Sequence, residues 1–177
     1  EVDVDVVTSG RVLLLDGHDV AAAVRGAEQA RRAGIPTVLD IDNFYPGTEK
    51  LLPLIDFTIC SSNFPERATG ETDLKLALKK LYERSGSRLV ASTTGKEGVI
   101  AYFEGQYIHS PAFEIDCLDT TGAGDSFNAG FLHAWLRGAP TIDCLRLGAA
   151  CGALSTLGLG GTARQPDRAE AERLLRR

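Results

Sequence analysis

Short apolar runs alternate with stretches of helical period along the first part of the chain. Arg11-Val-Leu-Leu-Leu-Asp16 predicts a buried strand that ends at an Asp-Gly turn. Asp19 can cap a helix from Val20 to about Ala33, which Gly34 stops. Pro36 to Ile41 predicts a second strand, Thr48 to Leu54 a short helix, and Asp56 to Ser61 a third strand. From Thr72 to about Ser85, Leu74, Leu78 and Leu81 recur at helical spacing, and Lys75, Lys79 and Lys80 fall on a solvated face. Arg88 to Ser92 is a fourth strand. Val99 to Phe103, Gln106 to His109 and Ala112 to Asp116 read as short antiparallel strands at the edge. Short apolar strands alternating with helices predict an α/β fold, a Rossmann-type three-layer sandwich with a mostly parallel sheet and right-handed crossovers.

The remainder has a helical period. Phe127, Phe131 and Ala134 give one apolar face to a helix from Asp125 to about Arg137, closed by Gly138 and Pro140. Thr141 can cap a helix from Ile142 to about Leu157, rich in Ala, Gly and Leu. Gly158 to Gly161 reads as a Gly-rich helix end. Pro166 to Arg177 predicts a terminal helix with Leu174 and Leu175 inward. No internal repeat, low-complexity run or linker interrupts residues 1–177, so one domain is expected.

Composition narrows the function classes. The 177 residues are 44% hydrophobic and 24% charged, ordinary values for a globular protein. The net charge of −5 argues against a general affinity for nucleic acid or anionic membrane. No apolar run reaches the ~20 residues of a membrane span and no signal peptide is visible, so a cytoplasmic protein is expected. Cys60, Cys117, Cys144 and Cys151 form no Cys-x-x-Cys pair and read as small thiols in a reducing compartment. The chain has no Met. It opens close to the first strand, so we expect a piece of a longer chain.

The chemistry concentrates in Asp119-Thr-Thr-Gly-Ala-Gly-Asp-Ser-Phe-Asn-Ala-Gly-Phe131. Its first half is small and Gly-rich, so backbone N–H groups can turn towards a ligand. Its second half starts a helix, whose unpaired N–H groups and dipole favour an anion. Asp125 stands at that entrance. It can be an N-cap or a general base beside a bound phosphate. The Gly-x-Gly before it is not needed for capping, which favours the base. Upstream, Asn63 and Glu66 share a face if Pro65 begins a helical turn. They can equally form a capping-box variant, with Asn63 as N-cap and Glu66 as the third helical residue. Thr93-Thr-Gly-Lys-Glu-Gly98 sits between two strands and reads as a hairpin turn.

The thirteen positions from Asp119 to Phe131 resemble the C-terminal signature of the PfkB/ribokinase family of carbohydrate kinases. The resemblance implies a ribokinase-like fold and covers nearly all of this chain. It implies that Gly122, Ala123 and Gly124 make an anion hole for the transferred phosphoryl group and that Asp125 takes the proton of the substrate hydroxyl. The Asn-x-x-Glu at Asn63 to Glu66 matches a family motif that influences Mg²⁺ and phosphate binding, with Glu66 acting through water on the metal. Thr93, Thr94, Gly95 and Gly98 would line the nucleotide site, and Ala149 and Gly152 would lie along the adenine pocket, although close helix packing is the simpler reading of those small residues. Asp119 and Thr121 fit a monovalent-cation (K⁺) site built largely from backbone carbonyls. The Gly158 to Gly161 turn departs from the usual family wording.

The implied activity is ATP-dependent phosphorylation of a sugar-like hydroxyl, with ATP and Mg²⁺, in a cytoplasmic homodimer. Family members carry a preceding segment with most sugar contacts and a small β-sheet lid, neither of which this sequence contains. The isolated chain is therefore expected to be inactive. The alternative is a non-catalytic nucleotide-binding module, an inactive piece or a degenerate kinase. A Rossmann oxidoreductase would need Gly-x-Gly-x-x-Gly after an early strand, and none is present.

Overall fold

The protein is described by a computed structural model covering residues 2–61 and 63–176. Glu1, Ser62 and Arg177 lie outside the described residues. Six strands form one sheet in simple sequence order, β1 (Leu13–Asp16), β2 (Thr37–Ile41), β3 (Phe57–Ser61), β4 (Leu89–Thr93), β5 (Val99–Phe103) and β6 (Gln106–Ser110). The fold is the expected α/β arrangement, with a mostly parallel sheet and antiparallel strands added.

The chain divides into two compact units. The first is Glu1–Thr93 with Ala101–Tyr107, and the second is Thr94–Ile100 with Ile108–Arg177. In the first unit β1 to β4 pair in parallel, with Leu14 beside Val38, Leu39 beside Thr58, and Ile59 beside Ala91. Each neighbour in sequence is also the neighbour in space. Right-handed crossovers then put the connecting helices on one face. Those helices are α2 (Val20–Arg32), α3 (Thr48–Leu51), α4 (Asn63–Thr69) and α5 (Leu74–Ser85). A short α1 (Val4–Thr8) precedes them, capped by the Asp3 carboxylate, which accepts from the Asp5 and Val6 amides.

β2, β3 and β4 are buried at nearly every position, as near-continuous apolar runs require. β1 alternates between half-buried and exposed positions, and Leu14 is 45% exposed. Asp19 caps α2 by accepting from the Ala22 amide, as its position predicts. The helix expected from Thr48 to Leu54 tightens after one turn into a 3-10 turn over Leu52–Leu54, because Pro53 has no N–H to continue the α ladder. On α5, Lys75 and Lys79 are exposed, and Lys80 pairs with Glu71 at 2.7 Å. Glu104 and Gly105 join β5 to β6 with φ of 48° and 80°, the left-handed pair that a two-residue hairpin demands.

The second unit is built on α6 (Ala123–Trp135), α7 (Thr141–Ser155) and α8 (Arg168–Leu175). α6 and α7 approach closely because glycines face each other. A Cβ on Gly148 would lie 2.9 Å from the Phe127 ring, and one on Gly130 would lie 2.8 Å from the Leu147 carbonyl. Leu154, Ala171 and Leu174 form an apolar cluster between α7 and α8, and Leu175 packs on its edge.

The structure corrects two sequence expectations. Ala112 to Asp116 is not a strand: Phe113 and Ile115 pack on the α7/α8 cluster instead of entering a ladder, and Ile115 accepts from the nearby Cys117 amide. Their alternation comes from helix packing, and Pro111 has no N–H to start a ladder. Thr141 is the first residue of α7 and not its cap, which is Pro140. Burial raises the thiol pKa of Cys60 above its ordinary value and that of Cys144 to about 11, so both behave as inert core groups.

Candidate functional site

In the second unit the Gly-rich stretch is held by a single carboxylate. Asp119 Oδ1 accepts from the Thr121 amide at 2.9 Å and from the Thr121 hydroxyl at 2.8 Å. Its other oxygen accepts from the Gly160 amide at 2.7 Å, which ties the loop to the turn that follows α7. The Thr121 amide, then the Gly160 amide and the Thr121 hydroxyl, hold the Asp119 carboxyl below its usual range. The Asp119 side chain is thus already engaged with protein donors. Leu118 and Asp119 amides both donate to the Thr156 carbonyl, a second tie to the end of α7.

Gly122 is the N-cap of α6, with φ of 76°. A Cβ there would sit 2.8 Å from the Gly161 carbonyl oxygen, so glycine is required by conformation and by space together. The helix begins at Ala123, two residues before the expected start at Asp125. Asp125 is therefore the third helical residue, and capping is not its role. The Ala123 amide donates to Thr120 and the Ser126 amide to Gly122. Between them, the Gly124 and Asp125 amides have no acceptor among the described residues. The Asp125 carboxylate is exposed and likewise has no hydrogen-bond partner among the described residues.

The predicted residues on α7 occupy different surroundings. Gly152 is buried, and a Cβ on it would meet the Ala123 carbonyl at 3.0 Å. Its lack of a side chain lets α7 pass beside the first turn of α6. Ala149 is half-buried. In the Thr94–Gly98 turn, the Thr94 amide and hydroxyl donate to the Gly98 carbonyl at 2.8 and 3.0 Å. Gly98 has φ of 100°, and a Cβ would fall 2.1 Å from the Ser110 carbonyl, so no other residue fits. Gly95, with φ of 60°, is open to solvent on its Cβ side.

Asn63, Glu66 and Thr93 belong to the first unit. α4 begins at Asn63 itself, so Asn63 is the first helical residue and not a cap. Asn63 and Glu66 are exposed while Phe64 and Pro65 are buried, which puts the amide and the carboxylate on the solvent side. Thr93 ends β4 and donates to the Cys60 carbonyl at 3.4 Å.

Sequence reasoning left two side chains out. The Ser126 hydroxyl donates to Gln165 Oε1 at 3.2 Å, and Gln165 Nε2 donates to the Gly161 carbonyl at 2.7 Å. Among the described residues, no group of three or more His, Cys, Asp or Glu side chains could hold a metal ion. No helix among them is long and apolar enough to cross a membrane.

Comparison with known proteins gives a consistent result. The model for the pfkB family carbohydrate kinase matches residues 3–168. A ribokinase from Arabidopsis thaliana is 29% identical over 98% of this chain and 48% of its own length. A nucleoside kinase from Methanothermobacter thermautotrophicus is 31% identical over 97% of this chain and 56% of its own. Among solved structures, Arabidopsis thaliana ribokinase complexed with ribose and ATP superposes with a TM-score of 0.90 at 28% identity, covering 99% of this chain and 59% of that one. The chain spans about half the length of the curated relatives it matches.

Proposed function

The chain belongs to the pfkB family of carbohydrate kinases, and from that premise we propose that it supplies the phosphoryl-transfer half of an ATP-dependent kinase acting on a sugar-like hydroxyl. The observation that carries the reading is the first turn of α6. Two amides there have no acceptor among the described residues, and the exposed Asp125 carboxylate projects from the same turn. Unpaired amides and the helix dipole favour an anion, so this turn suits the charge that grows on a transferred phosphoryl group. Ala123 contributes through backbone shape, since its amide is already paired within the loop.

In the proposed reaction Asp125 accepts the proton of the substrate hydroxyl. That oxygen forms a bond to the γ-phosphorus of ATP, the bond from phosphorus to the bridging oxygen breaks, and ADP leaves with the electron pair. Gly122, Ala123 and Gly124 form the anion hole. Thr93, Thr94, Gly95, Gly98, Ala149 and Gly152 contribute to the nucleotide site, Gly98 and Gly152 by leaving room for backbone. Asn63 and Glu66 offer hard oxygen donors on an exposed helical face, a set that fits hydrated Mg²⁺. Bound Mg²⁺ would neutralise phosphate charge. A K⁺ site near Asp119 and Thr121 would rest on backbone carbonyls, because both side chains are engaged with each other.

The acceptor belongs to the class of sugars and nucleosides that the relatives' names span. We place the intact protein in the cytoplasm as a homodimer. The 177-residue chain by itself is expected to consume no ATP in a sugar-dependent way. Asp125→Ala in the full-length protein should lower kcat by about 10²–10⁴-fold, the usual cost of removing a general base. Steady-state ATP turnover with a panel of sugars and nucleosides checks it, and undiminished turnover would sink the assignment. The second reading is a nucleotide-binding module without catalysis. ATP binding by the full-length protein with no turnover on any acceptor would select it.

A further inference from the structure

Between α6 and the approach to α8 runs a bridge that joins two backbone elements of the candidate site. Ser126 is the residue after Asp125, and its side chain is buried. Its hydroxyl donates to Gln165 Oε1, and the same amide group donates through Nε2 to the Gly161 carbonyl. That carbonyl oxygen is the atom a Cβ on Gly122 would strike at 2.8 Å. Gly161 is therefore seated directly on the N-cap of α6. On its other side, Gly160 is held by Asp119. The Asp119 tie fixes the turn to the start of the loop, and the Gln165 tie fixes it to the start of the helix.

We propose that Gln165 is a positioning residue for phosphoryl transfer. It locks the Gly158–Gly161 turn against the N-cap of α6, and so sets the direction of the loop amides that receive the transferred group. The inference rests on the reading of Asp125 and its loop given above. Gln165 uses both ends of its amide, one as acceptor and one as donor, so neither a carboxylate nor a hydrocarbon of similar size can replace it. A cavity of about 190 Å³ lies alongside, lined in part by Ser126, Gln165, His133, Cys151 and Arg168. Gln165 itself is exposed, so its replacement is compatible with a folded chain.

The test uses the full-length protein with its best acceptor. Gln165→Ala and Gln165→Met should each lower kcat about tenfold with KM for the acceptor changed less than twofold, because a small misplacement of a preorganised site falls on the transition state. Gln165→Glu keeps the acceptor for Ser126 and loses the donor to Gly161, so it should lose as much as Gln165→Met. Asp125→Asn is measured beside them. An inactive Asp125→Asn with wild-type kcat in the Gln165 variants overturns the positioning role and leaves the kinase reading standing. An active Asp125→Asn overturns that reading instead, and the proposal with it. If Gln165→Ala and Gln165→Met both fail to fold, the residue serves stability alone, which also overturns the proposal.

Discussion

Asp119 carries more of the loop's shape than its exposure suggests. One carboxylate accepts three hydrogen bonds, from the Thr121 amide and hydroxyl and from Gly160. Its pKa is lowered on folding, first by the Thr121 amide. A carboxylate with a lowered folded pKa contributes stability that is present above its unfolded value, about 3.9, and is lost as pH falls through the folded value. Acid should therefore release the Gly158–Gly161 turn while leaving the apolar cores in place. Replacing Asp119 with Ala should do the same at neutral pH. Amide hydrogen exchange resolved at Gly160 and Thr121 checks this, and unchanged protection at Gly160 in Asp119→Ala would show that the turn is held otherwise. Glu170 behaves similarly at the start of α8. Its carboxyl is lowered to about 2, chiefly by Arg164 and then by the Asp167 amide, so the Glu170 half of the capping box persists to low pH.

The contact of α6 with α7 depends on volume at single positions. Gly148→Ala would push a methyl group into the Phe127 ring and its carbonyl, both at 2.9 Å, on a helix whose N-cap is Gly122. Overpacking of this kind costs about 1–3 kcal/mol, and a lowered thermal midpoint of Gly148→Ala is the expected measurement. The strands and long helices were legible in the sequence because β2, β3 and β4 are buried at nearly every position and so read as apolar runs. The start of α6 was legible to within one turn, since the Gly-x-Gly that marks it also supplies its N-cap. α1 was not, because Val-Asp-Val-Asp alternates with a period of two while the Asp3 cap makes the segment helical. Ala112 to Asp116 failed in the opposite sense, where alternation that looks like a strand serves helix packing. Gln165 could not be found from local pattern, because its partner Ser126 is 39 residues away and neither residue stands out in composition.

For the molecule as a whole, the sheet has β1 at one end of its order and β6 at the other. β1 is paired on one side by β2 and bears Leu14 at 45% exposure, and α1 adds Val6 at 69%. An exposed apolar edge strand is a template for pairing with another chain. The 177-residue chain studied by itself should therefore self-associate as its concentration rises, and Leu14→Lys should suppress this. Light scattering over a concentration series reads the outcome, and identical association of Leu14→Lys would place the contact elsewhere. The two compact units have a further consequence. The backbone passes from one to the other after Thr93, at the end of β4, after Ile100, within β5, and after Tyr107, within β6. No single protease nick sorts the polypeptide into its two units, and no gene split at one codon yields one unit per product.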